Sequence, residues 1–143
     1  VTCGMKNLFG LMPGIVYGWP KNVLHMEGIV QSILDINTTV AAMRGPMLTI
    51  VDGIIGMEGD GPIMGEAKQV GCLLMGRNAA AVDATATRVM GLNPYGVKYL
   101  SEASGRLGPI HEWNIRQRGE PINAVRTRFD VLDVPHLASI VAG

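Results

Sequence analysis

The residues best suited to chemistry lie in one short segment that is rich in glycine and acid. From Asp52 to Gly65 the chain has five glycines and three carboxylates. Carboxylate oxygens are the ligands that a hard cation such as Mg²⁺ prefers, and the bare N–H groups of glycine-rich backbone can form an anion-binding concavity. A short apolar run precedes the segment, and ligands often bind beyond the ends of strands. The segment therefore predicts a site for a divalent cation, a polar ligand or both.

The candidate ligands fall into two sets. The predicted metal ligands are Asp52, Glu58, Asp60 and Asp83. The predicted contacts to a polar or anionic ligand are Lys6, Asn7, Gly53, Gly56, Gly59 and Gly61. Asp83 has an alternative role, because an acid near the start of a helix often caps it or favours its dipole. Lys6 and Asn7 have the alternative of simple solvation.

Standard catalytic and nucleotide-binding motifs are absent from the sequence. The spacing Gly56-x-x-Gly59-x-Gly61 differs from GxGxxG, no Gly-Lys-Ser/Thr follows it, and Gly-x-Ser-x-Gly does not occur. Catalytic residues therefore stay unassigned. The glycine-rich segment has a plain alternative, a tight structural loop whose acids face water. His25 lies close in sequence to Trp19 and Lys21. It has two alternative roles, an acid–base or ligand role and a structural one.

Periodicity and capping signals predict the elements that would position these residues. Residues 28–43 read as a helix, because Ile29, Ile33, Ile36 and Val40 fall on one face. The other predicted elements are strands at 47–51, 70–75 and 113–118 and helices at 79–90, 94–103 (with Asn93 as N-cap) and 137–141. Lys6 to Leu11 fits one short helical turn.

This order predicts a single α/β domain over residues 1–143, with a small mixed or parallel sheet flanked by helices. Within it we expect irregular structure over 1–26, a Gly-rich acidic loop over 52–66 and a C-terminal packing tail over 121–143. The sheet is small, so we expect an incomplete part of a larger three-layer domain. The start at Val1 rather than Met leads us to expect a fragment, whose sheet a missing half or a second copy completes.

The amino-acid composition indicates which classes of partner the chain binds. The chain is 48% hydrophobic and 17% charged, against about 25% charged in typical proteins. We expect the apolar excess to enter a covered sheet or a subunit interface, so we predict a homo-oligomer. The net charge of zero and the lack of a long apolar run predict neither nucleic acid nor membrane as partner. Cys3 and Cys72 form no metal-binding spacing; Cys72 is predicted to be a core residue, and reducing, cytoplasmic surroundings are expected.

Four motifs together resemble the domain of unknown function family 362. They are Met5-Lys6-Asn7-Leu8-Phe9-Gly10, Ile33-Leu34-Asp35-Ile36-Asn37, Ile50 through Pro62, and Ala81-Val82-Asp83-Ala84-Thr85. The resemblance runs over about residues 4–120 and corresponds to the C-terminal portion of the family domain. It implies a cytoplasmic prokaryotic protein joined to, or encoded near, ferredoxin-like iron–sulfur modules, without a settled activity. The chain lacks the cysteine clusters that an iron–sulfur cluster needs, so we expect none in it.

Two functional hypotheses follow. The first is a polar-ligand or divalent-metal-binding domain of an iron–sulfur-associated redox or group-transfer protein. The second is a non-catalytic scaffold that docks an iron–sulfur partner or a second subunit, with the Trp19 loop and the apolar excess as interface. Whether the chain is an enzyme stays open. Convergence of the Asp52, Glu58 and Asp83 carboxylates in one cleft would favour the first hypothesis, and their separation would favour the second.

Overall fold

A computed structural model of the chain describes residues 1–18 and 22–141. Trp19 and Lys21, and with them the predicted Trp19 interface loop, lie outside the described residues. The α-helices are α1 (Gly4–Asn7), α2 (Gly14–Tyr17), α3 (Asn22–Met26), α4 (Ile29–Arg44), α5 (Ala79–Val89), α6 (Lys98–Ala103), α7 (Ile122–Val125) and α8 (Ala138–Val141). The strands are β1 (Thr49–Asp60) and β2 (Met64–Gly76), and 3₁₀ turns cover Leu8–Leu11, Pro94–Gly96, Glu112–Asn114 and Pro135–Leu137.

The helices surround one apolar core. Together with the two-stranded sheet they confirm the α/β class. The most deeply buried large apolar side chains of the core are Met5, Ile33, Leu34, Leu100 and Ile110. The predicted stripe of α4 contributes Ile33 to this set, and Ile36 of the same stripe is also buried. Local signals placed α4 and α5 correctly, since both helices bury the face that the sequence period marks.

A polar side chain inside this core ties α1 to α4. The Asn37 Nδ2 group donates hydrogen bonds to the carbonyl oxygens of Met5 at 2.9 Å and Ile33 at 2.8 Å. Both bonds are buried, so losing the amide would remove a buried donor from both carbonyls. Asn37 therefore fixes the short α1 against the long α4.

The prediction of a Gly-rich acidic loop over 52–66 is wrong, because most of these residues lie in strands. Residues 52–60 belong to β1 and residues 64–66 to β2, so only residues 61–63 form the turn between them. The two strands pair antiparallel from Thr49↔Gly76 to Asp60↔Met64, with an irregularity between Gly53 and Ile55. Glycine weakens a strand but is tolerated where other groups approach closely, and such approaches occur here.

Four further expectations have clear outcomes. The predicted strand at 113–118 is wrong, because Glu112–Asn114 form a 3₁₀ turn and irregular chain follows. Residues 1–26 were expected to be irregular, yet their described part consists largely of short helical turns. The predicted cap is confirmed, since the Asn93 side chain accepts a hydrogen bond from the Tyr95 N–H. Cys72 is half-buried on the hairpin rather than in the core.

The hairpin has an inward face and an outward face. Inward, α5 packs on its base, because a Cβ at Gly76 would lie 2.7 Å from Val82 Cγ2. The outward face consists of four cross-strand pairs, Ile50↔Met75, Asp52↔Leu73, Ile55↔Gln69 and Met57↔Ala67. All eight of these residues are exposed in the structure. The hairpin is therefore covered on one side only.

Candidate functional site

The predicted metal ligands do not converge. Asp52 lies near the start of β1 and Asp60 at its end, and eight residues of strand at about 3.3 Å each separate them by roughly 26 Å. The Asp52 Oδ1 atom accepts a hydrogen bond from the nearby Ile54 N–H at 3.0 Å. Across residues 1–18 and 22–141, no group of three His, Cys, Asp or Glu side chains is arranged to hold a metal ion.

Glu58 fastens the hairpin to the C-terminal tail. Its Oε1 atom accepts from Lys68 Nζ at 3.1 Å and its Oε2 atom from the Asp130 N–H at 2.8 Å. The Gly59 N–H in turn donates to the Asp130 carbonyl at 3.1 Å. The Asp130 N–H, with help from Lys68, lowers the pKa of Glu58 below its usual value. Both carboxylate oxygens are thus engaged within the protein.

The motif glycines make room for the same tail and for neighbouring side chains. A Cβ at Gly56 would lie 2.7 Å from Phe129 Cζ, and Phe129 is buried. A Cβ at Gly53 would lie 2.9 Å from the Cys72 carbonyl oxygen. Gly59 has φ = 74°, a conformation that favours glycine. Close packing therefore accounts for Gly53 and Gly56, and backbone conformation accounts for Gly59.

Replacing Gly56 with alanine is expected to destabilise the fold by about 1–3 kcal/mol, because the new methyl group overlaps the Phe129 ring. Urea unfolding followed by circular dichroism measures the change. Gly10→Ala is the matched control, since a Cβ there meets no atom within 4 Å. Equal midpoints for the two variants would contradict this packing role.

Asp83 is fully buried, and it caps α1 from the distant helix α5. Its Oδ1 atom accepts from the Gly4 N–H at 2.7 Å, and its Oδ2 atom accepts from the Met5 N–H at 3.0 Å and the Tyr99 hydroxyl at 3.2 Å. Burial raises the pKa of Asp83 to about 6, against the lowering effect of these three donors. The acid that was predicted to face a metal instead organises the N-terminal helix.

Of the predicted polar-ligand contacts, Asn7 lines a cleft. This cleft has a volume of about 500 Å³ and lies between α1 and the start of β1. Its polar lining includes Thr2 and Thr49, and its apolar lining includes Leu8 and Leu48. Lys6 does not line it, and its Nζ atom lies 3.4 Å from the Thr2 hydroxyl. The four predicted glycine contacts lie along the hairpin, outside the lining of this cleft.

Two further side-chain groups had no signal in the sequence. The first is a surface cluster in which the Tyr95 hydroxyl lies 2.8 Å from His111 Nδ1 and the His111 ring stacks on Trp113 at 4.7 Å. The second is a cleft of about 590 Å³ lined by Arg126 and Arg128. Both depend on long-range packing, which local patterns do not report. His25, by contrast, is exposed and meets the Phe9 ring edge-on at 5.9 Å.

Comparison with known proteins places the chain in a family. The family model described as domain of unknown function (DUF362) matches residues 1–88. The chain belongs to the DUF362 family. The matched part contains Asp83, both backbone donors of α1 and the whole hairpin. The DUF362 match thus covers the motifs from Lys6 to Asp83.

The DUF362 chain is also similar to a cyanobacterial protein. Over 110 residues it is 34% identical to the thylakoid-associated protein sll1697 of Synechocystis sp.. The aligned region covers 76% of this chain and 33% of that protein. The chain thus spans about a third of the length of this relative. No solved structure matches the chain. Among the described residues, no helix combines the length and apolar character that crossing a membrane requires.

Proposed function

We propose that this DUF362 chain is an assembly domain whose outward hairpin face binds a second copy of the chain. One observation carries the proposal. Five large apolar side chains of that face, Ile50, Ile55, Met57, Leu73 and Met75, are each 53–65% exposed. A solvated face of an antiparallel sheet is normally polar, and large exposed apolar patches mark interaction sites.

The low charge of the outward face favours binding to a second copy of the chain over binding to a charged partner. Asp52 is its one ionisable side chain, and Gln69 is its other polar one. A two-fold axis brings the same patch of both copies together. An axis near Ile55 places the two Asp52 carboxylates on opposite sides, roughly 20 Å apart, so they do not repel strongly.

The size of the face is also suitable. Leu48 and Ile54, which are 61% and 48% exposed, extend the apolar surface. Burying a large aliphatic side chain removes roughly 60–120 Å² at about 25 cal/mol per Å², so the patch offers roughly 400–800 Å² per copy. A standard interface uses about 800 Å² per partner. A two-stranded hairpin also needs packing on its faces to be stable, and a second copy supplies it.

The test is the solution mass of the chain, compared between the wild type and a variant with a charge on the outward face. Light scattering after size-exclusion chromatography distinguishes a dimer from a monomer directly. Leu73→Lys is the test variant, because Leu73 is 60% exposed and contributes to the middle of the face.

A second candidate retains the polar-ligand hypothesis at the cleft beside α1. The observation that favours it is the position of Asn7, a residue of the Lys6-Asn7 motif, on the wall of a cleft with Thr2 and Thr49. A small polar ligand would meet amide and hydroxyl groups there and apolar contact from Leu8. The predicted Mg²⁺ would require a different arrangement of the carboxylates, since Glu58 and Asp83 are engaged in the protein's own hydrogen bonds.

Calorimetric titration with Mg²⁺ tests the metal part of this candidate. We expect equal, negligible heats for the wild type and Glu58→Ala, because the two Glu58 oxygens already accept from Lys68 and Asp130. Saturable binding by the wild type that Glu58→Ala abolishes would contradict this expectation and restore the predicted metal site.

The remaining expectations concern the whole protein. The family resemblance implies a ferredoxin-like partner, and the outward face, which lacks basic side chains, gives such a partner no cationic contact. We therefore assign any iron–sulfur partner to a surface other than the outward face. We retain the cytoplasmic assignment as part of the proposal; the thylakoid association belongs to the Synechocystis relative.

A further inference from the structure

We propose that the cleft lined by Arg126 and Arg128 binds a phosphate or carboxylate anion. The cleft lies at the C-terminal end of α5 and has a volume of about 590 Å³. This lies within the usual range of about 300–1,000 Å³ for small-molecule sites. Its lining includes Gly91, Asn123, Arg126, Arg128 and Asp130.

The backbone of the tail aims both arginines into this cleft. Arg126 has extended backbone angles and exposure alternates from Arg126 to Asp130, so successive side chains point to opposite sides. The Thr127 N–H donates to the Val89 carbonyl at 2.7 Å and the Phe129 N–H to the Met90 carbonyl at 3.0 Å. With Phe129 buried on one side, Arg126 and Arg128 share the other. The same two bonds occupy the last carbonyls of α5, which would otherwise repel an anion.

Both guanidinium groups are available to a ligand. Within residues 1–18 and 22–141, neither Arg126 nor Arg128 takes part in a side-chain hydrogen bond or ion pair. The Nε atom of Arg126 lies 3.7 Å from the position that a Cβ of Gly91 would occupy. The Arg126 guanidinium therefore lies close to the backbone of Gly91. A guanidinium group can bind a phosphate or carboxylate group through two parallel hydrogen bonds, as a fork.

The charge balance of the cleft also favours an anion. The lining contains two guanidinium groups and one carboxylate, that of Asp130. The backbone of Asp130 is held on both sides, by Glu58 and by Gly59, which fixes the tail that presents the arginines. The amide of Asn123 adds a further donor. The cleft is separate from the outward hairpin face, so its test can fail without affecting the assembly proposal.

Titration with inorganic phosphate at low salt, followed by nuclear magnetic resonance, tests the proposal. We expect saturable binding by the wild type and at least about tenfold weaker binding by Arg126→Ala/Arg128→Ala, because charge-assisted hydrogen bonds are lost. Arg116→Ala/Arg118→Ala is the matched control, with the same spacing and two exposed arginines. Arg126→Lys/Arg128→Lys keeps the charge but loses the fork, and should bind with intermediate strength. Thermal unfolding checks that each variant is folded.

The source of the anion is distinguished by a second probe. Vesicles of phosphatidylglycerol, compared with vesicles of phosphatidylcholine, report binding to an anionic lipid headgroup. Phosphate binding with or without vesicle binding supports the site, and the vesicle result assigns the source. The proposal is overturned if the wild type does not bind phosphate, if both double alanine variants lose affinity equally, or if Lys6→Ala rather than the Arg126/Arg128 change removes binding.

Discussion

Replacing Asp83 with alanine is expected to lower the free energy of unfolding by about 3 kcal/mol at pH 5, because buried donors lose their acceptor. The variant leaves the Gly4 and Met5 N–H groups and the Tyr99 hydroxyl without the Asp83 side-chain oxygens that now accept from them. Since α1 is only four residues long, it has little helical stability of its own. Urea unfolding by circular dichroism measures the loss.

The control for this prediction is Asp133→Ala. Asp133 is exposed and its side chain has no hydrogen-bond partner in the described part of the chain, so its removal should change stability by less than about 0.5 kcal/mol. If Asp83→Ala is as stable as Asp133→Ala, other groups or water must satisfy the α1 donors, and Asp83 does not organise the N-terminus.

The same residue should make stability depend on pH. The folded-state pKa of Asp83 is about 6, above its ordinary value of 3.8, so folding favours the protonated form. Its contribution is fully present below pH 3.8 and is lost as pH rises through about 6, by about 3 kcal/mol in total. The difference in unfolding free energy between wild type and Asp83→Asn should therefore shrink over this window. A difference that is constant from pH 4 to pH 7 would contradict the raised pKa.

The sequence allowed the helices to be predicted better than the hairpin. The apolar stripe of α4 and the Asn93 cap depend on neighbours within a few residues, so local patterns were sufficient. The segment from Asp52 to Gly65 was misread as a loop, because its glycines are explained by distant contacts. Gly56 accommodates Phe129, which is more than seventy residues away in sequence, and no local pattern reports that approach.

The candidate site was predicted only in part, for the same reason. Acids and glycines were correctly recognised as the distinctive residues, and they carry the family resemblance that the DUF362 match confirms. Their roles depend on contacts with residues that are distant in the sequence. Glu58 holds the tail and Asp83 holds α1, whereas the sequence presented Glu58 as a carboxylate among glycines and Asp83 as an acid near the start of a helix. The tail arginines gave no signal, since their cleft exists only once residues 126–130 pack on α5.

The second large effect concerns the outward face. Leu73→Lys is expected to convert a dimer to a monomer, because each copy would bring an ammonium group into a largely apolar contact, where the desolvation cost exceeds the attraction of the cross-strand Asp52 carboxylate. The change should weaken association by at least about a hundredfold, since removing an ion from water costs several kcal/mol. Leu73 is exposed in the single chain, so the variant itself should fold with unchanged circular dichroism.

Met43→Lys is the matched control for this change. Met43 is an apolar residue on α4 that is 72% exposed, comparable with Leu73 at 60%, and it lies away from the hairpin. Both variants add one positive charge in place of one exposed apolar side chain. A general effect of charge or solubility would therefore alter both proteins, whereas an effect on the proposed interface would alter Leu73→Lys alone.

Light scattering after size-exclusion chromatography tests the assembly role most directly. Our account predicts a mass near twice the 15.3 kDa of the chain for the wild type and for Met43→Lys, and a mass near 15.3 kDa for Leu73→Lys. A monomeric wild type at micromolar concentration, or a dimer that survives Leu73→Lys, would contradict it.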